Sequence, residues 1–144
     1  MSYGFGSGIK GLIVLSAGGT GGHLFPAQAL AEELIRRGYA IHLMTDHRVG
    51  DYGSRFPAAD VHIIPSATVT PSKPLKLPGQ LYKLMSGVME ARSVSSMLEP
   101  LAVVGFGGYP SVPPLVAAIS KGIPSFIHSR MLSWGVQTVC LHRA

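Results

Sequence analysis

Ser16-Ala17-Gly18-Gly19-Thr20-Gly21-Gly22-His23 lies between the apolar run Leu12-Ile13-Val14-Leu15 and an amphipathic segment that starts near Pro26. A strand that ends in a glycine-rich turn and feeds a helix is how parallel α/β proteins hold phosphate. Glycines let the backbone turn sharply and approach a ligand closely. The N–H groups left free there, with the helix dipole, favour an anion. His23 adds a titratable group beside that anion site. The fold read from this stretch is Rossmann-like α/β: a mostly parallel sheet with flanking helices.

The rest of the chain continues the pattern. Ile9 to Leu15 reads as the first strand and Pro26 to Arg37 as a helix. Ala27, Leu30, Ala31 and Leu34 share one helix face, with Glu32, Glu33, Arg36 and Arg37 mostly on the other. Pro26 suits a first helical turn and Gly38 a C-terminal stop. Tyr39 to Met44 and Val61 to Ile64 read as the second and third strands, with a polar, irregular or partly helical stretch from Asp46 to Pro57 between them. Four prolines between Pro65 and Pro78 predict a surface loop. Gln80 to Leu98 predicts a helix that Gly87 weakens. Leu101 to Val104 is a fourth strand, Gly105 to Pro114 a second glycine-rich turn, Leu115 to Lys121 a short helix, and Ser125 to His128 a fifth strand. Right-handed crossovers then give a mostly parallel sheet. Ligands of such sheets collect at the carboxyl ends of the strands, at the topological switch point. Both glycine turns follow strands and are expected on the same edge.

At 144 residues the chain has the size of one domain with a substantial core. Charged residues make up only 13% and hydrophobic ones 47%, which suits a buried parallel sheet. The net charge of +5 is compatible with an anionic partner, phosphate or a membrane surface. It lacks the dense basic clusters and the motifs of a nucleic-acid binder, so none is expected. Cys140 is the only cysteine, which rules out an intramolecular disulfide and fits a reducing compartment. Met1 to Gly8 lacks the pattern of a signal peptide. The longest uncharged stretch, Pro100 to Ser120, is broken by glycines and prolines and does not read as a membrane span.

Gly18-Gly19-Thr20-Gly21-Gly22-His23 with Pro26 resembles the first loop of the MurG family, and Gly105-Phe106-Gly107-Gly108-Tyr109-Pro110-Ser111 with Pro113 resembles its second. Gly122-Ile123-Pro124, followed by Ile127-His128, matches the strand that comes next in that family. The resemblance covers roughly Gly11 to His128. It implies the N-terminal half of a GT-B glycosyltransferase that moves N-acetylglucosamine from UDP-N-acetylglucosamine to lipid I in peptidoglycan synthesis. It further implies inversion by direct displacement, no redox cofactor, and a place in the cytoplasm, peripheral on the inner face of the bacterial membrane. The family's N-terminal domain receives the lipid-linked acceptor, and its C-terminal domain supplies most contacts to the sugar nucleotide. The isolated chain is therefore expected to be inactive. Two rival readings stand beside this one: a nucleotide-binding Rossmann module, and a truncated product without function.

Glycosyl transfer requires a stabilised leaving diphosphate, an activated hydroxyl and a fixed geometry. Backbone N–H groups of Thr20, Gly21 and Gly22 are candidates to meet a phosphate or the donor. His23 is the candidate general base or a hydrogen-bond partner of the acceptor diphosphate; otherwise it caps the helix. Gly107, Gly108 and Tyr109 are candidates to cradle the acceptor diphosphate, against the alternative of a tight structural turn. His128 ends a strand on the same edge; alone it reads as structural, and it joins the candidate substrate contacts through the resemblance, with the family neighbours that contact the donor sugar missing here. Lys73, Lys76 and Lys83, beside Leu81, Tyr82 and Met85, suit contact with an anionic membrane surface; an ordinary amphipathic helix with its leucines in the core is the alternative. Asp46 reads as a strand-end residue and not a ribose ligand, because the first loop lacks G-x-G-x-x-G, and Gly6, Gly8 and Gly11, which have that spacing, precede the first strand. His42, His47, His62 and His142 show no metal-ligand spacing and are expected at the surface, with no metal.

After His128 the family pattern breaks off, so the domain is expected to span residues 1–128, with an off-family tail at 129–144. The family continues with Glu-Gln-Asn-Ala, and this chain with Ser129-Arg130-Met131-Leu132. One permitted coding string for Ser129 to Cys140, with one G placed in front and read one base out of register, encodes Glu-Gln-Asn-Ala-Val-Leu-Gly-Arg-Ala-Asn-Arg-Leu. That is the family pattern, and a single-base frameshift is the expectation.

Overall fold

The computed structural model describes residues 8–129 and 137–142. Among the described residues, six strands form one sheet: β1 (Leu12–Ser16), β2 (Ala40–Thr45), β3 (Asp60–Ile63), β4 (Ala102–Gly105), β5 (Ser125–Ser129) and β6 (Gln137–His142). Four helices flank it: α1 (Gly21–Arg36), α2 (Tyr52–Arg55), α3 (Leu77–Leu98) and α4 (Val112–Ser120). The strand order is β3-β2-β1-β4-β5-β6. Strands β1 to β5 pair in parallel and β6 pairs antiparallel with β5. The order reverses between β1 and β4, so the switch point lies where the two glycine-rich turns leave the sheet.

Alternation along the strands fills a core on each face. Leu15, Ile41 and Leu43 meet Leu24, Ala27 and Ala31 of α1, with Phe56 beyond α2. Leu12, Val14, Met44 and Val103 meet Ala91 of α3 and Leu115, Ala117 and Ala118 of α4. With both faces covered, the strands read as the near-continuous apolar runs seen in the sequence.

Helix starts differ from the sequence reading for physical reasons. Helix α1 starts at Gly21 and not near Pro26, which sits inside it. Proline lacks the N–H that would reach the Gly22 carbonyl, and Gly22 is solvent-exposed, so water can satisfy that group. His23 therefore belongs to the first helical turn. Helix α4 takes up Pro113 and Pro114 in its first turn, where an N–H is not needed. In α3, Gly87 marks a close contact: a Cβ there would lie 1.9 Å from the Pro65 carbonyl oxygen. The tail contributes a strand that the sequence reading did not foresee. Seven residues, 130–136, join β5 to β6. That is too few for a parallel crossover, and the pairing is antiparallel accordingly.

Candidate functional site

The first glycine turn is held from beneath. Asp46 follows β2 and is 3% exposed. Its Oδ1 accepts the Gly19 N–H at 3.0 Å, and its Oδ2 accepts from Arg48 Nε. A Cβ on Gly19 would lie 2.4 Å from the Val49 nitrogen and 2.6 Å from Asp46 Oδ1, so only glycine fits against this turn. Both carboxylate oxygens of Asp46 are bonded inside the protein and the residue is buried, which suits a brace and not a ribose ligand. Thr20 stands in extended conformation at the helix start, with no side-chain cap. Thr20, Gly21 and Gly22 are exposed. The Gly21 and Gly22 N–H groups lie in the first turn of α1, where no preceding helical carbonyl can accept them.

The second turn continues β4. The Phe106 N–H donates to the Ser16 carbonyl at 2.8 Å, extending the β1–β4 ladder by one residue. Gly107 and Gly108 follow with φ of +89° and +79°, backbone conformations that cost other residues about 1–3 kcal/mol each. Ser111 Oγ, buried, lies 2.8 Å from the Gly107 carbonyl oxygen and 3.2 Å from that of Ser16. The nearer acceptor takes its proton, and the turn is fixed to the end of β1. Tyr109 stands 46% exposed at the rim.

His23 joins the two turns. Its Nδ1 lies 2.8 Å from the Phe106 carbonyl oxygen. A carbonyl only accepts, so Nδ1 carries the proton and Nε2 of the neutral ring holds a free lone pair. The ring lies against both glycines: a Cβ on Gly107 would be 3.5 Å from Cε1, and one on Gly108 would be 3.6 Å from Nε2. Thr20, Gly21, Gly22, His23, Gly107, Gly108 and Tyr109 thus meet at one edge of the sheet, as the sequence reading expects. His128, half-buried on β5, packs its ring against Phe106 at 5.4 Å between centroids. Asp46, as the brace of the first turn, and Arg48, a half-exposed cation at its rim, were not legible as site residues. Their only sequence signal is their place just after β2, the strand next to β1.

The second group of candidates lies on the long helix and its approach. Lys73, Lys76 and Lys83 are exposed, as are Leu81, Tyr82 and Met85. Tyr82 is 79% exposed and Leu75, between two of the lysines, 96%. Only Leu77 and Leu84 of the leucines near the start of α3 turn partly inward. Its buried contacts come from the small residues Gly87, Ala91 and Ser95 further along.

The expectation of surface positions fails for two histidines. His42 and His62 are both half-buried, their rings stacked at 5.2 Å, with His42 Nδ1 at 2.9 Å from His62 Nε2. Burial, and secondly the neighbouring His62, push the His42 pKa down, while Asp60 opposes the shift. Spacing along the chain does not reveal this pair, because it forms across neighbouring strands: His42 lies opposite Asp60 in the β2–β3 register, and His62 opposite Met44. His47 is exposed as expected, and the side chain of His142 lies outside the described residues.

Comparison with known proteins places this geometry. Residues 13–143 match the model of the glycosyltransferase family 28 N-terminal domain. The chain is 55% identical over 121 residues to a Sinorhizobium fredii protein named UDP-N-acetylglucosamine–N-acetylmuramyl-(pentapeptide) pyrophosphoryl-undecaprenol N-acetylglucosamine transferase. An Agrobacterium fabrum protein of the same name is 51% identical over the same length. In each case the match covers 84% of this chain and 32% of the relative, so the chain spans about a third of their length. The crystal structure of Acinetobacter baumannii MurG superposes with a TM-score of 0.69 at 26% identity, over 83% of this chain and 35% of that one. The calicheamicin glycosyltransferase CalG4 shares the fold at a TM-score of 0.59 and 20% identity, over 84% of this chain and 33% of that one.

Proposed function

We propose, from the premise that this chain belongs to the glycosyltransferase family 28 N-terminal domains, in their MurG branch, that it forms the acceptor side of a GT-B N-acetylglucosaminyltransferase. The reaction is the one its curated relatives are named for: N-acetylglucosamine passes from its UDP derivative to a pyrophosphoryl-undecaprenol-linked muramyl pentapeptide. The observation that carries this reading is the His23–Phe106 bond, which joins the two glycine turns across the switch point. It supports His23 Nε2 as the base, beside the N–H groups of Gly21 and Gly22 at the start of α1.

In this reading Gly21, Gly22, Gly107 and Gly108 line the berth of the acceptor pyrophosphate, with Thr20, Tyr109 and Arg48 at its rim and His128 beside Phe106. The acceptor hydroxyl attacks the anomeric carbon of the donor sugar, the bond from that carbon to the UDP oxygen breaks, and the proton passes to His23 Nε2. One displacement inverts the centre. The donor is held mainly by a second domain, and these residues by themselves turn over no substrate.

The test is binding of a short-chain prenyl-pyrophosphoryl-muramyl-pentapeptide by calorimetry, beside UDP-N-acetylglucosamine and NAD. The acceptor analogue is expected to bind, the other two at least about tenfold more weakly. His23→Gln should weaken the acceptor while leaving the fold intact by circular dichroism. Tight NAD binding, or donor binding without acceptor binding, overturns the reading.

We infer also that the start of α3 rests on an anionic membrane. Exposed Leu75, Leu81, Tyr82 and Met85 interleaved with Lys73, Lys76 and Lys83 support this. No helix among the described residues is long and apolar enough to cross a membrane. Sedimentation with anionic vesicles should carry the protein down, and replacing the three lysines by glutamine should leave it in the supernatant. Equal, negligible binding to anionic and neutral vesicles refutes the idea. For residues 129–144 we propose a single-base frameshift just after His128; the source DNA there should hold a downstream frame encoding a second domain, and the proposal fails if it does not.

A further inference from the structure

We propose that His42, His62 and Asp60 form a binding site for a divalent transition-metal ion, zinc foremost, which clamps the edge strand β3 to β2. One ligand atom from each residue falls within a group whose members all lie within 4.8 Å of one another. His42 Nδ1 is 2.9 Å from His62 Nε2, and His62 Nε2 is 3.8 Å from Asp60 Oδ2. Ligands at the usual zinc distances in a tetrahedron stand about 3.3 Å apart. Shifts of about half an ångström bring these two pairs to that spacing, and the third pair, His42 with Asp60, lies within 4.8 Å and closes by rotation of the exposed Asp60 side chain.

Three features favour a metal over a simple histidine pair. Strand pairing fixes the frame, since Asp60 and His42 are register partners and His62 lies two residues further along the same face of β3. The Asp60 carboxylate is oriented: its Oδ1 accepts the Val61 N–H at 2.8 Å, which leaves Oδ2 directed to the histidines. Such outer bonds are what hold a ligating carboxylate in place. The third is the donor set, in which two imidazoles and one carboxylate suit zinc, cobalt or nickel better than calcium or magnesium. The Asp60 side chain is 62% exposed, so water can reach and complete the coordination sphere. Binding moves the one proton held between the two rings to the far nitrogen of the ring that carries it, so that both facing nitrogens offer lone pairs to the metal and both rings stay neutral. The site lies on β2 and β3, away from the glycine turns, and does not depend on the acceptor-binding reading.

The test uses the full chain without a histidine tag. Titration with cobalt(II) should give visible d–d absorption saturating at one equivalent, which zinc then displaces. Zinc should raise the melting temperature, and EDTA should reverse the rise. Asp60→Asn, at an exposed side chain where the fold is not at risk, should weaken cobalt binding by at least about tenfold. His42→Asn and His62→Asn should abolish it, and Cys140→Ser should leave it unchanged. Absence of cobalt binding, binding indifferent to Asp60→Asn and the histidine substitutions, or binding lost with Cys140 overturns the proposal.

Discussion

Replacing Gly19 by alanine tests whether the first glycine turn is built by contact with the turn after β2. The added methyl would stand 2.4 Å from the Val49 nitrogen, 2.5 Å from the Arg48 carbonyl carbon and 2.6 Å from Asp46 Oδ1. Two of the three are backbone atoms, so no flexible side chain can swing away. Overpacking of this kind costs about 1–3 kcal/mol. Opening the contact also stretches the Gly19 N–H bond to the buried Asp46 carboxylate, a charge-assisted bond of about 1.5–3 kcal/mol. Against this, alanine reduces the freedom of the unfolded chain, worth about 0.4–1 kcal/mol. A net loss of about 2–4 kcal/mol follows, which at roughly 3 °C per kcal/mol is a fall of about 6–12 °C in Tm. Gly22→Ala is the matched control, because a Cβ there meets nothing within 4 Å. It lies in the first turn of α1, where alanine is neutral or stabilising by up to about 1 kcal/mol. Thermal melts followed by circular dichroism compare the two. If Gly19→Ala melts within about 1 °C of Gly22→Ala, the turn is not braced as described.

Ser111→Ala removes the buried hydroxyl that reaches Gly107 and Ser16; a loss of about 1–2 kcal/mol is expected in urea unfolding, with an unchanged m-value. Stability should also depend on pH through His42, whose pKa is lowered in the folded state by burial and by His62. The unfolded chain takes up a proton near pH 6.5, where the folded one resists it. The contribution is therefore complete above that pH and is lost as pH falls through the window beneath it. Urea midpoints measured with EDTA should decline in that window, and His42→Asn should flatten the decline.

The sheet and both turns were legible because their signals are local. Leu12 to Leu15 is apolar on both faces, and the four glycines after it permit the tight turn and close backbone approach that side chains would hinder. What escaped the sequence reading depends on contacts between segments distant in the chain. Gly87 reads as a weak point in a helix, yet its role is set by Pro65, which presses its carbonyl on that spot. His42 and His62 have no meaningful spacing until β2 and β3 pair and bring their rings to 5.2 Å. Asp46 reads as a strand end, and only the fold shows that it braces Gly19. Pro26 misled the placement of α1 because a proline inside the helix is tolerated where the orphaned carbonyl, that of Gly22, faces water.

The bonds that shape the two turns do not compete with the ligand the turns are proposed to hold. Gly19 is satisfied by Asp46, Phe106 by Ser16, and the Gly107 carbonyl by Ser111. Each of these lies on the core side, so the donors at Gly21 and Gly22 stay free without leaving the backbone unsupported. Such a site loses little entropy when it binds, because the turns are already fixed. His23 serves both sides of this division. Its Nδ1 is spent on joining the turns, and by being spent there it decides that Nε2 is the atom with a lone pair. A ring rotated by half a turn would present a protonated nitrogen to the cleft only if Phe106 gave up its bond. The strut between the two turns and the tautomer of the proposed base are therefore one structural feature, and a substitution that keeps the strut without an imidazole separates them only by removing the base.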